Sequence, residues 1–250
     1  MKKHIPNIIT LLNLFCGCLA VVLAVNNNFV AASFFVFAGI FFDFFDGFAA
    51  RLLGVQSSLG VQLDSLADLV TSGLVPGIVM FRLLTLASDQ TALATLSNDW
   101  GDAIHWHDFT FAPIALIGFL ITLASAYRLA KFNVDEEQQT TFKGLPTPAN
   151  ALLILSLPLI IEFQKSDAMN SIIVNVWFLL GLTLLSSYLL VSPIRLFALK
   201  FKDWSFKANG IRYIFIILSV VFLIVFQFAG IPLIILSYIA MSLMANSKQV

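Results

Sequence analysis

Long apolar stretches, separated by short polar segments, run through almost the whole chain. A helix needs about 20 mostly apolar residues to cross a bilayer. Eight stretches approach or reach that length, at residues 7–25, 29–50, 60–87, 111–132, 149–163, 172–194, 211–228 and 230–246. The last two are joined by little more than Ala229-Gly230, which indicates a tight turn between two helices. The pattern therefore predicts an all-α integral membrane protein with about eight transmembrane helices.

The basic residues indicate which side of the membrane each loop occupies. Cytoplasmic loops of membrane proteins carry an excess of Lys and Arg. With the N-terminus inside, all of the 14 basic residues except Arg82 and Lys165 lie on the inner side. The loop 88–110 has several aspartates but no Lys or Arg, as expected of an external loop. We therefore expect a multi-pass protein of the cell (inner) membrane with both termini in the cytoplasm.

Composition excludes several other classes of protein. Hydrophobic residues make up 59% of the 250 residues and charged residues 11%, against about 25% charged in a typical soluble domain. The 14 basic and 14 acidic residues leave no net charge, which argues against a nucleic-acid-binding protein. Two cysteines cannot form a disulfide framework. No soluble linker interrupts the chain, so residues 1–250 are predicted to form a single membrane domain.

Four aspartates interrupt the second and third apolar stretches. Asp43 and Asp46 are three residues apart, and Asp64 and Asp68 are four apart, so each pair shares one helical face. The link 51–59 contains glycine and polar residues and predicts a turn between antiparallel helices. Both pairs would then face each other near the inner surface. Because charge within a membrane segment is energetically expensive, these acids are candidate functional residues.

Close carboxylates must either stay partly protonated, as in a proton relay, or surround divalent cations. Mg²⁺ and Mn²⁺ bind carboxylate oxygens and keep positions open for phosphate. The small residues Gly47, Ala50 and Gly60 would leave room for a ligand, and Arg51 supplies a planar cation suited to phosphate. The pattern favours a metal-and-phosphate site over structural ion pairs and over a transporter with acidic ion sites.

At these residues the sequence resembles the CDP-alcohol phosphotransferase family. The family signature, D-x2-D-G-x2-A-R-x8-G-x3-D-x3-D, is matched at every spacing across residues 43–68. The resemblance implies a membrane enzyme that moves a phosphatidyl group from a CDP-linked lipid to an alcohol and releases CMP. It implies a homodimer and two divalent cations, Mg²⁺ or Mn²⁺, bound by Asp43, Asp46, Asp64 and Asp68. It further implies that Asp68 is the general base.

The same resemblance assigns residues to the CDP-lipid. It implies nucleotide and diphosphate contacts for Gly47, Ser57 and Arg51, and Arg51 is also expected to take part in catalysis as a clamp on the diphosphate. The start of the first helix is similar to a further nucleotide-binding segment of the family. The expected CDP-lipid-binding residues are Asn7, Thr10, Gly47, Ala50, Arg51, Ser57 and Gly60.

Three further segments, at residues 13–17, 128–133 and 142–149, resemble the phosphatidylserine synthase branch of that family. This implies CDP-diacylglycerol and L-serine as substrates. Residues 1–150 would form the catalytic part, and residues 151–250 would add transmembrane helices. Arg128 and Lys131 lie on one face at the inner end of the fourth predicted helix. We expect them to bind the serine carboxylate or a phosphate, unless they are only positive-inside anchors. An acceptor such as glycerol phosphate or inositol phosphate is the alternative within the family, and a cation- or proton-coupled transporter is the alternative outside it.

Overall fold

The computed structural model describes residues 4–88, 113–134, 142–197 and 206–247, and it confirms the all-α prediction. The helices, in chain order, are α1 (Ile5–Val25), α2 (Phe29–Leu52), α3 (Ser58–Asp68), α4 (Val75–Ser88), α5 (Leu120–Val134), α6 (Thr147–Gln164), α7 (Asp167–Ile173), α8 (Val176–Val191), α9 (Phe206–Phe226) and α10 (Gly230–Ser247). A π-helical turn (Leu69–Leu74) joins α3 to α4, a 3₁₀ segment (Pro113–Phe119) leads into α5, and a 3₁₀ turn (Gln227–Ala229) separates α9 from α10.

The described helices are long and apolar enough to make this a multi-pass membrane protein. Six helical stretches meet that criterion, and the bent pair α7–α8 raises the number to seven. The stretch Gly210–Met244 counts as one of the six but contains a sharp turn, at which Gln227 has φ +48°. The ring centroids of Phe215 in α9 and Tyr238 in α10 are 5.5 Å apart, so the two helices fold back on each other. The number eight and the cytoplasmic termini stay predictions.

The sixth predicted helix, at residues 172–194, differs from the observed structure. Its first residues belong to α7, and α7 and α8 meet at an angle of 62°. The break occurs because the Asn175 side chain accepts hydrogen bonds from the backbone N–H groups of Trp177 (2.9 Å) and Phe178 (3.3 Å). Such an N-cap starts a new helix rather than continuing the old one.

Two segments that the apolar pattern predicts to be loops pair with each other as short strands. Residues 142–143 form a short strand, β1 (Phe142–Lys143), which pairs antiparallel with β2 (Arg195–Leu196). The pairing ties the segment before α6 to the segment after α8. The predicted external loop 88–110, apart from Ser88, lies outside the described residues.

The core is built where helices approach closely through small or branched side chains. Ala20 of α1, Val36 of α2, Val79 of α4 and Ile154 of α6 are all fully buried in one apolar cluster. Large apolar side chains elsewhere are exposed, among them Ile217 and Ile224 of α9. In a bilayer those side chains contact lipid, which is as apolar as they are, so close packing of small residues holds the helices together.

The π-helical turn directly after Asp68 shapes the region beside the acids. A π-helical turn shifts the backbone hydrogen-bond register and is common at functional sites. The Gly73 carbonyl accepts a hydrogen bond from the Thr122 hydroxyl (3.1 Å), and the Thr71 hydroxyl donates to the Asn13 carbonyl (3.2 Å). The turn is therefore held from α5 on one side and from α1 on the other.

A first prediction concerns a close backbone approach in this bundle. A Cβ atom on Gly118 would lie 2.6 Å from the backbone nitrogen of Phe81, whereas one on Gly181 would meet nothing within 4 Å. Because the Phe81 backbone cannot move aside, we expect Gly118→Ala to destabilise the fold by about 1–3 kcal/mol. Thermal unfolding of the purified protein in detergent measures this, with Gly181→Ala as the matched control. Equal midpoints for the two variants would contradict the close approach.

Candidate active site

Three of the four predicted acids form one cluster between α2 and α3. Asp43, Asp64 and Asp68 each offer a carboxylate oxygen, and these oxygens lie within 4.8 Å of one another. The short link 53–57 between the helices brings them together, because Gly54 adopts a φ of +63°, which favours glycine, and so allows the chain to reverse. The turn expected from the sequence therefore places acids from two helices side by side.

The chemistry of this cluster fits a divalent cation. Carboxylate oxygens are the ligands that Mg²⁺ and Mn²⁺ take. Within the described part of the chain, Asp64 Oδ1 is buried and has no hydrogen-bond partner. A buried acceptor without a partner is costly, and a bound cation would satisfy it. The residues present are therefore suited to hold metal.

Asp46 lies beside this group but is not one of its three members. It is almost fully buried, and its Oδ2 accepts a short hydrogen bond of 2.5 Å from the hydroxyl of Thr10 in α1. It does not belong to the group of oxygens within 4.8 Å that Asp43, Asp64 and Asp68 form. Its expected role as a fourth metal ligand stays a prediction.

A cavity of about 690 Å³ adjoins the acids. Asp46 and Asp64 form part of its wall. All the residues expected to bind the CDP-lipid line it, namely Asn7, Thr10, Gly47, Ala50, Arg51, Ser57 and Gly60. The structure thus brings together residues from α1, α2 and the start of α3. Sequence reasoning missed Gln56 and Phe132 as site residues, although both line the cavity. Phe132 falls within the family-like segment 128–133, but that resemblance did not point to this residue.

One side of this cavity is suited to an anion. Ser57 is the N-cap of α3, and its hydroxyl accepts a hydrogen bond from the Gly60 N–H (3.1 Å). The first backbone N–H groups of a helix and its dipole favour negative charge, so the start of α3 attracts phosphate. Arg51, at the end of α2, donates from Nε to the Gly47 carbonyl (3.0 Å). Arg51 lines the same cavity.

A second, smaller cavity of about 260 Å³ is lined by cations. Arg128 and Lys131 of α5, which the sequence suggested as neighbouring binding residues, both line it. Lys143 of β1 lines it as well. Arg128 is only 9% exposed, and its Nε has no hydrogen-bond partner among the described residues. Arg128 also interacts electrostatically with Asp68, so it connects the acidic cluster with this basic cavity.

Lys143 was missed as a site residue by sequence reasoning. The chain around it is held in place by backbone hydrogen bonds from Gly144 to Ile194 (2.8 Å) and from Leu145 to Leu189 (2.9 Å). Gly144 has a φ of +76°, and a Cβ there would lie 2.6 Å from the Leu190 carbonyl oxygen. The only signal in the sequence was the family-like segment 142–149, which did not point to the lysine itself.

Comparison with known proteins identifies the same family that the motif at residues 43–68 resembles. The family model described as CDP-alcohol phosphatidyltransferase matches residues 3–185. The CDP-diacylglycerol–serine O-phosphatidyltransferase of Bacillus subtilis (strain 168) is 35% identical over 155 residues, which are 62% of this chain and 75% of that protein. The enzyme of the same name from Helicobacter pylori (strain J99) is 28% identical over 223 residues, 87% of this chain and 81% of that protein. The archaetidylserine synthase of Methanothermobacter thermautotrophicus is 29% identical over 154 residues, 61% of this chain and 56% of that protein.

A second prediction uses the open space beside Gly47. A Cβ on Gly47 would meet no atom within 4 Å, and Gly47 lines the larger cavity. Alanine is favoured over glycine in a helix by about 1 kcal/mol, so Gly47→Ala should fold at least as well as the unaltered protein. We expect Gly47→Ala and then Gly47→Leu to weaken CDP-lipid binding progressively, because each fills the cavity further. Measured affinity for a CDP-lipid, beside the thermal midpoint, tests this. Unchanged affinity in Gly47→Leu would contradict the binding of a CDP-lipid in this cavity.

Proposed function

Because the chain belongs to the CDP-alcohol phosphatidyltransferase family, we propose that it transfers the phosphatidyl group of CDP-diacylglycerol to the hydroxyl of L-serine. The products are phosphatidylserine and CMP, and the role is in phospholipid biosynthesis. The observation that carries the proposal is the acidic cluster beside a cavity lined by every residue expected to bind the CDP-lipid. The names of the relatives support the choice of serine.

Members of this family generally use divalent metals. Asp43, Asp64 and Asp68 would hold them here, with Asp46 beside the group, and Mg²⁺ or Mn²⁺ suits these ligands. When bound, such cations neutralise negative charge on the diphosphate and on the departing CMP. Two cations are expected from the family resemblance.

The larger cavity would bind the CDP group. Arg51 and the N-terminus of α3 would take the diphosphate, since both offer donors to phosphate oxygens. Asn7 and Thr10, at the start of α1, would lie along the nucleotide. This arrangement leaves the lipid-linked (β) phosphorus near the acids of α2 and α3, where an alcohol can attack it.

Asp68 is the proposed general base. A serine hydroxyl is a weak nucleophile, and a carboxylate that takes its proton during attack accelerates the reaction. The serine oxygen forms a bond to the lipid-linked phosphorus, and the bond from that phosphorus to the oxygen of CMP breaks. Asp68 is nearly buried, so little water competes with the alcohol at this carboxylate.

The smaller cavity would bind the carboxylate of serine. Arg128, Lys131 and Lys143 supply three cations around it, and a charge-assisted hydrogen bond to a carboxylate is among the stronger polar contacts in proteins. Arg128 also interacts with Asp68. A serine held by its carboxylate on Arg128 would therefore have its hydroxyl on the side of the general base.

The proposed location is the cytoplasmic membrane, with the site on the cytoplasmic side. The basic residues of the two cavities lie at the end of the bundle that holds the acids, namely Arg51, Arg128, Lys131 and Lys143. Lys and Arg of membrane proteins are concentrated on the cytoplasmic side. Serine and CMP would exchange with the cytosol while the lipid enters from the bilayer. The homodimer implied by the family resemblance is part of the proposal and can be tested by cross-linking in membranes.

The third prediction tests the reaction itself. Purified full-length protein should release CMP from CDP-diacylglycerol when Mn²⁺ or Mg²⁺ and L-serine are present, and EDTA should abolish the release. Asp68→Asn should lower kcat by about 100-fold or more, because the general base is lost. Asp167→Asn serves as the matched control, since Asp167 is an exposed residue in the first turn of α7.

Parallel reactions with glycerol 3-phosphate and inositol phosphate separate the alternatives. Release of CMP only with one of these alcohols would keep the family and replace serine as the acceptor. No metal-dependent release with any alcohol, from folded protein, would contradict the proposed enzyme and favour an acidic ion site of a transporter.

The fourth prediction concerns the basic cavity. Arg128→Gln and Lys143→Gln should each raise the KM for serine by about 10-fold or more, the size expected for losing a hydrogen bond to a charged group. The KM for CDP-diacylglycerol should change little. Lys165→Gln is the control, because Lys165 is an exposed residue at the opposite end of α6. A larger effect on the CDP-lipid than on serine would assign this cavity to the phosphate instead.

A further inference from the structure

Asn13 of α1 contacts the proposed general base directly. Its side-chain Nδ2 donates a hydrogen bond to Asp68 Oδ1 over 3.2 Å, although the two residues are 55 positions apart. Asn13 is fully buried. It lies outside both cavities and outside the residues expected to bind metal or substrate. Binding of metal or substrate by Asn13 itself therefore does not explain the contact.

Close packing keeps Asn13 in this position. The Thr71 hydroxyl donates to the Asn13 backbone carbonyl (3.2 Å). A Cβ on Gly39 of α2 would lie 2.6 Å from Thr71 Cγ2 and 2.8 Å from Asn13 Oδ1, and one on Gly17 would lie 2.5 Å from the Thr71 hydroxyl. The absence of side chains at both glycines lets α1, α2 and the π-helical turn meet, and this fixes the amide against Asp68.

Asn13 is a poor choice for stability alone. Its Oδ1 is buried and has no hydrogen-bond partner among the described residues. A buried polar atom without a partner costs free energy, whereas an apolar group of similar shape avoids that cost. Leucine is close in shape to asparagine and would suit an apolar helix. The amide is therefore better explained by what it does to Asp68.

The direction of the hydrogen bond matters for Asp68. An amide NH₂ group only donates, whereas the amide oxygen only accepts. With the NH₂ group towards Asp68, the amide attracts an ionised carboxylate, occupies Oδ1 and leaves Oδ2 available. The reversed amide would place two acceptors against each other. The same helix face repeats the device one turn earlier, where the Thr10 hydroxyl donates to Asp46.

We propose that Asn13 is a positioning residue that orients the Asp68 carboxylate through one oxygen, so that the other oxygen faces the metal site and the acceptor hydroxyl. This rests on the proposed function insofar as Asp68 acts as the base. Partners that hold a metal-ligating or catalytic group in orientation typically affect metal affinity or activity by about 10–100-fold when removed.

The test compares Asn13→Leu with Cys16→Ala in full-length protein. Cys16 lies one turn further along the same buried face of α1, so its variant perturbs packing to a similar extent. Three quantities are measured, namely the thermal midpoint, the affinity for Mn²⁺ by calorimetry, and the kinetics of CMP release. A third variant, Asn13→Asp, keeps the size of the side chain but replaces the donor with a carboxylate.

We expect Asn13→Leu to keep its thermal midpoint within about 3 °C in the presence of Mn²⁺ while kcat or Mn²⁺ affinity falls by about 10–100-fold. The KM for CDP-diacylglycerol should stay close to that of the unaltered protein. Asn13→Asp should lose more activity than Asn13→Leu, because a second carboxylate then faces Asp68. Cys16→Ala should resemble the unaltered protein in all three measurements.

The proposal is overturned if folded Asn13→Leu retains both kcat and Mn²⁺ affinity, whether or not its thermal midpoint falls. Failure of the proposed function is a separate result. If the unaltered protein releases no CMP with any alcohol, Mn²⁺ affinity and the thermal midpoint of the same variants still show whether Asn13 orients Asp68.

Discussion

Mutual repulsion among carboxylates in membrane helices is the constraint on which this structure depends. Asp43, Asp64 and Asp68 present oxygens within 4.8 Å of one another. At an effective dielectric of 20, each pair of unit charges at this distance repels by about 3 kcal/mol. When all three are ionised, this repulsion acts between two neighbouring helices, and either a proton or a cation among the oxygens relieves it. Rigid surroundings are therefore needed to keep the carboxylates this close.

Helix α1 supplies much of that rigidity. Thr10 and Asn13 project from one buried face, and each donates a hydrogen bond to an acid on a different helix, Asp46 on α2 and Asp68 on α3. Glycines on α1 and α2 allow the backbones to approach, and the π-helical turn lets Thr71 reach the α1 backbone. The polar contacts and the close packing are therefore one arrangement, since neither set of contacts could form without the other.

Charge is distributed asymmetrically around the acids. One cavity holds Arg51 and the N-terminus of α3, which suits a diphosphate. A separate basic cavity holds Arg128 and the two lysines, which suits a carboxylate or a phosphate. Arg128 interacts with Asp68 and so links the two regions. A diphosphate and a carboxylate could thus reach the acids from separate cavities, each neutralised by its own cations.

The sequence by itself determined the class of the fold and most of the residues that the candidate site brings together. Helix formation follows from runs of neighbouring apolar residues, and the spacing of Asp43, Asp64 and Asp68 places them on helical faces that a short link turns towards each other. These are local properties, and the residues expected at the CDP-lipid do line one cavity. The helix break at Asn175 was missed because a single capping side chain outweighs an apolar run that otherwise continues.

Only the tertiary structure decided which polar groups meet across long distances in the chain. It paired Asp46 with Thr10, and it placed Asn13 against Asp68. It also brought Lys143 to Arg128 through the pairing of two short strands. Periodicity assigns a residue to a face of its own helix, but it does not specify which neighbouring helix covers that face. That choice depends on how closely several helices pack, which is set by glycine contacts and backbone irregularities such as the π-helical turn.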